Sequence, residues 1–205
     1  MIKKIFAAMI LATLLIFAQS ADARSYYDDD RYSYDDRYRY NDRYRDDDRY
    51  SYDDRRRSRI PNISYQVQVQ DYGWMRPVGN DEVAGTTGRG KRLEALRINF
   101  DGDIMYTSHV EKYGWQSWSY SGDMTGTVGE GLRMEAIRIK LIGESADYFD
   151  VYYRVHIEEG GWLGWAKNGE PAGTTGAGLR MEALQIRIVA KGERIDREGR
   201  PFYQR

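Results

Sequence analysis

The chain has no cysteine, two histidines and four prolines in 205 residues. The lack of cysteine excludes a disulfide framework, a thiolate metal site, a cysteine nucleophile and a lipid-bearing cysteine. Two histidines are too few for a histidine-only zinc site. Charge of one sign is missing as well. Lys and Arg number 31 against 32 Asp and Glu, a formal net charge of -1. That balance gives no electrostatic footprint for nucleic acid. Only one long apolar run exists, the 13 residues 5–17. It is short for a spanning helix, and polar residues follow at once. Lys3 and Lys4 precede it, and the small-x-small site Ala21-Asp22-Ala23 follows. Residues 1–23 therefore read as a secretory signal peptide. The expected location is outside the cytoplasm, secreted or associated with the cell envelope, with no transmembrane segment after cleavage.

Residues 24–60 are low in complexity. Positions 24–59 hold 11 Asp, 11 Arg and nine Tyr, with no aliphatic residue. A segment of this kind cannot bury enough apolar surface to offset the entropy of ordering, so it is expected to be disordered. DDDRYSYDDRYR over residues 28–39 returns as DDDRYSYDDRRR over residues 46–57. Its charges cancel and interleave, unlike a polybasic tether. It reads as a solvated spacer, or as an adhesive tail working through weak Arg–Tyr contacts.

The folded part, residues 61–205, is one motif written three times. Gly73-Trp74, Gly114-Trp115 and Gly161-Trp162 are spaced by 41 and 47 residues. Gly85, Gly126 and Gly173 repeat those spacings, as do Arg92, Arg133 and Arg180. Length changes thus fall between motifs and never inside one. Each unit opens on alternation, as in Tyr65-Val67-Val69, and closes on it, as in Leu96-Ile98-Phe100. Period two marks half-buried strands. Turn signals lie between them, at Gly79-Asn80-Asp81, Ser121-Gly122-Asp123 and Asn168-Gly169-Glu170. No stretch keeps a helical apolar period. The units span about 65–100, 106–141 and 153–188. Three such units predict a single all-β, pseudo-three-fold domain, a β-prism of three sheets or alternatively a β-trefoil. Closure would remove unpaired strand edges. The C-terminal Arg200-Pro201-Phe202-Tyr203 is expected to clasp the first unit.

The pattern GW-x-x-W, then A-G-T-T-G, then R-[LM]-E-A-[IL]-x-I resembles the ChW repeat, the clostridial hydrophobic repeat with conserved tryptophan. The resemblance covers about residues 65–190 in three copies. It implies a secreted bacterial surface protein with a part in adhesion or polysaccharide attachment. The first copy departs from the pattern. Pro77 stands where Trp118 and Trp165 stand, and Asp81 where Gly122 and Gly169 stand.

Five tryptophans are the candidate ligand-binding residues. Trp74, Trp115 and Trp162 read first as fillers of the core around the three-fold axis, and second as sugar-stacking platforms. Trp118 and Trp165 are the better ligand candidates, because copy one does without them. Arg92 with Glu94, Arg133 with Glu135, and Arg180 with Glu182 read as a structural clamp between units. In a regular strand each Glu faces the core side, where a charge must be paired. A bulge at Glu-Ala would instead swing it outward. The Gly-Thr-Thr-Gly segments lack the Lys and the following helix of a phosphate loop. They read as tight turns or close backbone approaches, with the Thr86, Thr127 and Thr174 hydroxyls free to rim a pocket. His109 and His156 stand where copy one has Gln68, and read as solvent-facing. No nucleophile elbow appears, and three equivalent Glu residues do not offer two distinct carboxylate roles. No enzyme activity, cofactor or metal is expected. The expected partner is a polysaccharide or other cell-envelope component, with another surface protein as the alternative.

Overall fold

A computed structural model describes residues 59–205. The expected signal peptide and all but the last two positions of the low-complexity segment lie outside the described residues. Alternation produces strands where period two was legible. The first repeat holds β1 (Ile63–Val69), β2 (Gly73–Trp74), β3 (Val83–Gly85) and β4 (Leu93–Phe100). The second holds β5 (Ile104–Val110), β6 (Gly114–Trp115), β7 (Ser119–Tyr120), β8 (Met124–Gly126) and β9 (Met134–Leu141). The third holds β10 (Phe149–Ile157), β11 (Gly161–Trp162), β12 (Ala166–Lys167), β13 (Ala172–Thr175) and β14 (Met181–Ala190). A last strand, β15 (Phe202–Gln204), ends the chain.

These strands form three sheets. In each, the opening and closing strands of one repeat pair antiparallel: β1 with β4, β5 with β9, β10 with β14. Each closing strand then receives a short strand from another repeat. β8 of the second repeat pairs with β4, β13 of the third with β9, and β3 of the first with β14. The exchange closes on itself after three steps. Each exchanged strand carries a glycine with positive φ: Gly85 at +102°, Gly126 at +98° and Gly173 at +116°. A Cβ at Gly85 would sit 2.5 Å from the Glu182 carbonyl, and one at Gly126 would collide with the Glu94 carbonyl. Glycine is needed there for a left-handed backbone and for close approach to the neighbouring strand. Thr86 and Thr127 follow by donating their N–H to those same carbonyls, at 2.9 and 2.8 Å.

One apolar core serves all three repeats. It includes Val67, Leu96, Ile98, Ile137, Ile139, Val155, Leu184 and Ile186. Each such side chain contributes about 1.5–3 kcal/mol on burial. Tyr65, Tyr106 and Tyr153 are wholly buried and do more than pack. Tyr65 donates its hydroxyl to the Glu82 carbonyl and accepts the Ile186 N–H at 3.0 Å. Tyr106 does the same with Asp123 and Ile98, and Tyr153 with Glu170 and the backbone of Ile139. Each phenol therefore ties its own repeat to the closing strand of another. Burial pushes the Tyr106 hydroxyl up to about 12, so these groups stay protonated donors.

Two features differ from expectation. The six extra residues between the second and third repeats fold as a short helix, α1 (Gly143–Tyr148). Six residues are too few for an apolar period to register. The C-terminal segment clasps the third repeat and not the first. β15 lies parallel to β13, Gly173 donates to the Pro201 carbonyl at 2.8 Å, and Trp165 donates to the Arg197 carbonyl at 2.7 Å. The chain leaves β14 beside its own repeat, so the nearest edge takes it.

Candidate binding faces on the outside of the three sheets

The Gly-Trp strands β2, β6 and β11 each pair with the end of an opening strand. This places Trp74, Trp115 and Trp162 half-buried outside the core. The core-filling role expected for them is thus corrected. Their strands lie at sheet edges, and the threefold interior is filled by aliphatic residues and tyrosine. Each indole lies against a guanidinium. Arg97 is 5.3 Å from the Trp74 ring centroid, Arg138 4.5 Å from Trp115 and Arg154 5.0 Å from Trp162. Such contacts are worth about 0.5–2 kcal/mol, depending on exposure. In the third repeat Gln185 stands where Arg97 and Arg138 stand. Arg154, paired across the strands from Gln185, supplies the cation instead and donates to the Gln185 Oε1 at 2.9 Å.

The Glu residues reach the same face through a bulge. Gln68 pairs with Ala95 and Val69 with Leu93, so Glu94 is the extra residue. Glu135 and Glu182 are skipped in the same way. The bulge breaks strand parity and turns the carboxylates away from the core, which corrects the regular-strand expectation. They remain 6, 4 and 4 % exposed. Each is held by the Arg two residues before it. Arg92 reaches Glu94 at 2.9 and 2.8 Å, Arg133 reaches Glu135 at 2.9 and 2.8 Å, and Arg180 reaches Glu182 at 3.1 and 3.0 Å. The ion pair therefore lies within one repeat. What joins repeats is the Glu backbone carbonyl, through the Thr contacts described above. Arg133 and Arg180 also bind Glu111 and Glu158, which the first repeat replaces with Gln70.

His109 and His156 belong to these clusters and are half-buried, which corrects their solvent-facing assignment. His109 packs edge-on to Trp115 and His156 edge-on to Trp162, both at 5.6 Å. Their Nδ1 atoms lie 3.0 and 3.3 Å from Glu135 and Glu182, in contact but out of line for a hydrogen bond. The Thr127 and Thr174 hydroxyls are buried rather than lining a surface. That Gly-Thr-Thr-Gly permits a close backbone approach stands.

The second tryptophans do not share an environment. Trp118 is half-buried beneath Lys140, whose ammonium is 5.0 Å from the ring. Trp165 is 2 % exposed, sandwiched between Arg154 at 4.7 Å and Arg187 at 5.0 Å. Trp162, Arg154, Trp165 and Arg187 thus form one alternating stack. The C-terminal segment covers it, with Ile195 packed on the Trp165 cluster and Arg197 donating to the Trp165 carbonyl at 2.8 Å. Gly164 makes room, because a Cβ there would collide with the Gly199 carbonyl. Among the described residues no cluster of His, Asp and Glu suits a metal ion, and no helix is long and apolar enough to cross a membrane.

A glycine-tryptophan edge, an exchanged Gly-Thr strand and a bulged Arg-x-Glu recur three times in register. Residues 68–102, 109–143 and 156–190 match the family model described as Clostridial hydrophobic W, ChW. The chain belongs to the ChW family. The three ChW matches cover just over half of it, each running from near the end of an opening strand to the end of a closing strand or two residues past it. Neither a curated protein nor a solved structure matches the chain.

The stacking arginines, the tyrosine hydroxyls and the cover that the C-terminal segment lays over Trp165 escaped sequence reasoning, which sent that segment to the first repeat. The recurrence of Arg97 and Arg138 on the polar face was a usable signal for the first. The invariant tyrosine among aliphatic core positions was a usable signal for the second.

Proposed function

We propose that this ChW protein is a secreted, non-enzymatic surface module that binds cell-wall or extracellular polysaccharide in a lectin-like way. One observation carries the reading: indoles stand half-exposed outside the core, each backed by a guanidinium, on faces repeated three times. Aromatic faces of this kind pack against the C–H faces of pyranose rings, and neighbouring Arg and Glu groups suit hydroxyls. Equivalent weak sites gain by avidity. The cyclic exchange of strands among three sheets favours a β-prism over a β-trefoil.

The test is binding of the chain to a panel of polysaccharides including peptidoglycan, beside a Trp74→Ala/Trp115→Ala/Trp118→Ala variant. The expected result is saturable binding that the folded variant loses. Absence of binding to every glycan would overturn the proposal. A second reading, a structural envelope protein working through protein contacts, is favoured by Trp165. Its equivalent in a glycan site is Trp118, yet here a polypeptide segment covers it.

A further inference from the structure

The stacked cations of the second and third repeats are completed differently. In the third repeat each cation flanking Trp165 also holds a carboxylate. Arg154 binds Glu198 of the C-terminal segment at 2.7 Å, and Arg187 binds Asp81 at 2.6 Å. In the second repeat Arg138 lies on Trp115 and Lys140 on Trp118. Among the described residues neither has a carboxylate partner, and the buried Arg138 Nε has no hydrogen bond. Two sequence differences remove the acids. Gly169 donates to the Ile139 carbonyl as Asp81 donates to that of Ile186, so it holds the place of Asp81 on this sheet. A Cβ built on Gly169 lies 3.7 Å from the Lys140 side chain, where an acid would have met the ammonium. Ser117 stands where Gly164 admits the C-terminal segment. Its Cβ falls where that segment's backbone would run, so a polypeptide cover of the same kind does not fit.

We infer that the outer face of the second repeat takes an acidic glycan, one bearing carboxylates or phosphates. The indoles of Trp115 and Trp118 meet the sugar rings, and Arg138 and Lys140 bind the acid groups. The inference rests on the lectin-like reading and narrows it to a ligand class. The third repeat is the precedent within the molecule, because the same kind of stacked cation takes a carboxylate there. Charge on the second face is unspent. Arg133, Arg138 and Lys140 stand against Glu111 and Glu135, an excess of one positive charge. Arg138 and Lys140 share one side of β9 and lie about 7 Å apart along it, so both can engage one polymer. A cation resting on a ring keeps N–H donors for an anion, and such charge-assisted bonds are stronger than neutral ones. The first repeat has Pro77 and Asn99 in place of Trp118 and Lys140. It offers one stacked cation, Arg97, and hence a weaker site.

Titration calorimetry of the chain tests this with polygalacturonate, its methyl ester, poly(glycerol phosphate) and polyaspartate. The expected result is an acidic glycan polymer bound at least about tenfold tighter than the neutral ester, with the preference shrinking as salt rises. The first polymer measured against the third assigns the acid as carboxylate or phosphate. Arg138→Gln/Lys140→Asn installs residues that the third and first repeats already carry at these positions. It should erase the preference and leave the melting temperature and ester binding unchanged. Arg89→Gln/Arg194→Asn removes two exposed charges elsewhere and should keep the preference. If neither acidic glycan polymer outbinds the ester, or if Arg138→Gln/Lys140→Asn keeps the preference, the inference is overturned while the lectin-like reading stands. Polyaspartate bound as tightly as the acidic glycans also overturns it, and would assign the face to an acidic polypeptide. Absence of binding to every glycan overturns both.

Discussion

The second and third repeats share both tryptophans, the exchanged Gly-Thr and the Arg-Met-Glu-Ala, yet one leaves its second tryptophan half-exposed and the other buries it. The difference arises outside the motif. Gly164 admits the C-terminal segment where the second repeat has Ser117. Beneath the surface they differ as well. The second repeat places Ser108, Thr125 and Gln116 where the third has Val155, Ala172 and Leu163. Ser108 lies 2.8 Å from Thr125, and both reach Gln116 at 3.1 Å, so a small polar network replaces an apolar contact. Asp103 is exposed while its counterpart Asp150 is buried. Motif residues set the frame, and the residues between them set what each face presents.

Changes to the frame should affect both repeats alike. Gly126→Ala and Gly173→Ala each force a Cβ into a neighbouring strand, and each should cost about 4 kcal/mol or more. Chemical denaturation measures this, and a clear difference between the two would undo the claim of equivalence. Changes at the second tryptophan should separate the repeats. Trp165→Ala should cost about 3–5 kcal/mol, the figure for a buried aromatic. Trp118→Ala should cost about 1 kcal/mol. Thermal melts of both variants would show the gap.

Acid should also act on the third repeat. Burial alone would push the Asp150 carboxyl up, but Lys167, Asn168, the Gly192 N–H and Lys191 outweigh it and hold the group well below the usual range. A depressed folded value means the stabilisation is present above about pH 4 and is lost as pH falls further. Asp150→Asn should remove of order 2 kcal/mol at pH 7 and flatten the acid limb. Equal acid limbs for variant and wild type would contradict it. The smallest effect is expected from Ser108→Val/Thr125→Ala/Gln116→Leu, which rebuilds the third repeat's core in the second. Replacing a satisfied polar set by packed apolar groups should change stability by less than about 1 kcal/mol. Gly126 should then exchange faster, because the Gln116 Oε1 that accepts its N–H at 2.7 Å is gone.

The all-β class, the three units and the paired long strands were legible because period two survives in all three copies. The destination of the short strands was not. Val83-Ala84-Gly85 reads as a turn flank, and nothing in three residues says that their partner is Leu184. The glutamates were left between an inward and a bulged, outward orientation for a related reason. One bulge shifts parity, and sequence alternation cannot reveal where a strand takes an extra residue. The tryptophans carry a different lesson. A large repeated aromatic invites a core assignment, yet Tyr65, Tyr106 and Tyr153 hold that place while the indoles rest on arginines outside it.

The closing of the strand exchange has a consequence in time. Ala84, near the start of the folded part, pairs with Leu184, near its end. A ribosome delivers the first repeat long before the strand that completes it exists. The young chain must wait with one edge of the last sheet unmade, which is the slow, non-local topology that chaperones guard. Copy number is fixed by the same ring. A fourth repeat could join only by opening one of the three junctions, so in this protein the motif counts by closure and not by length.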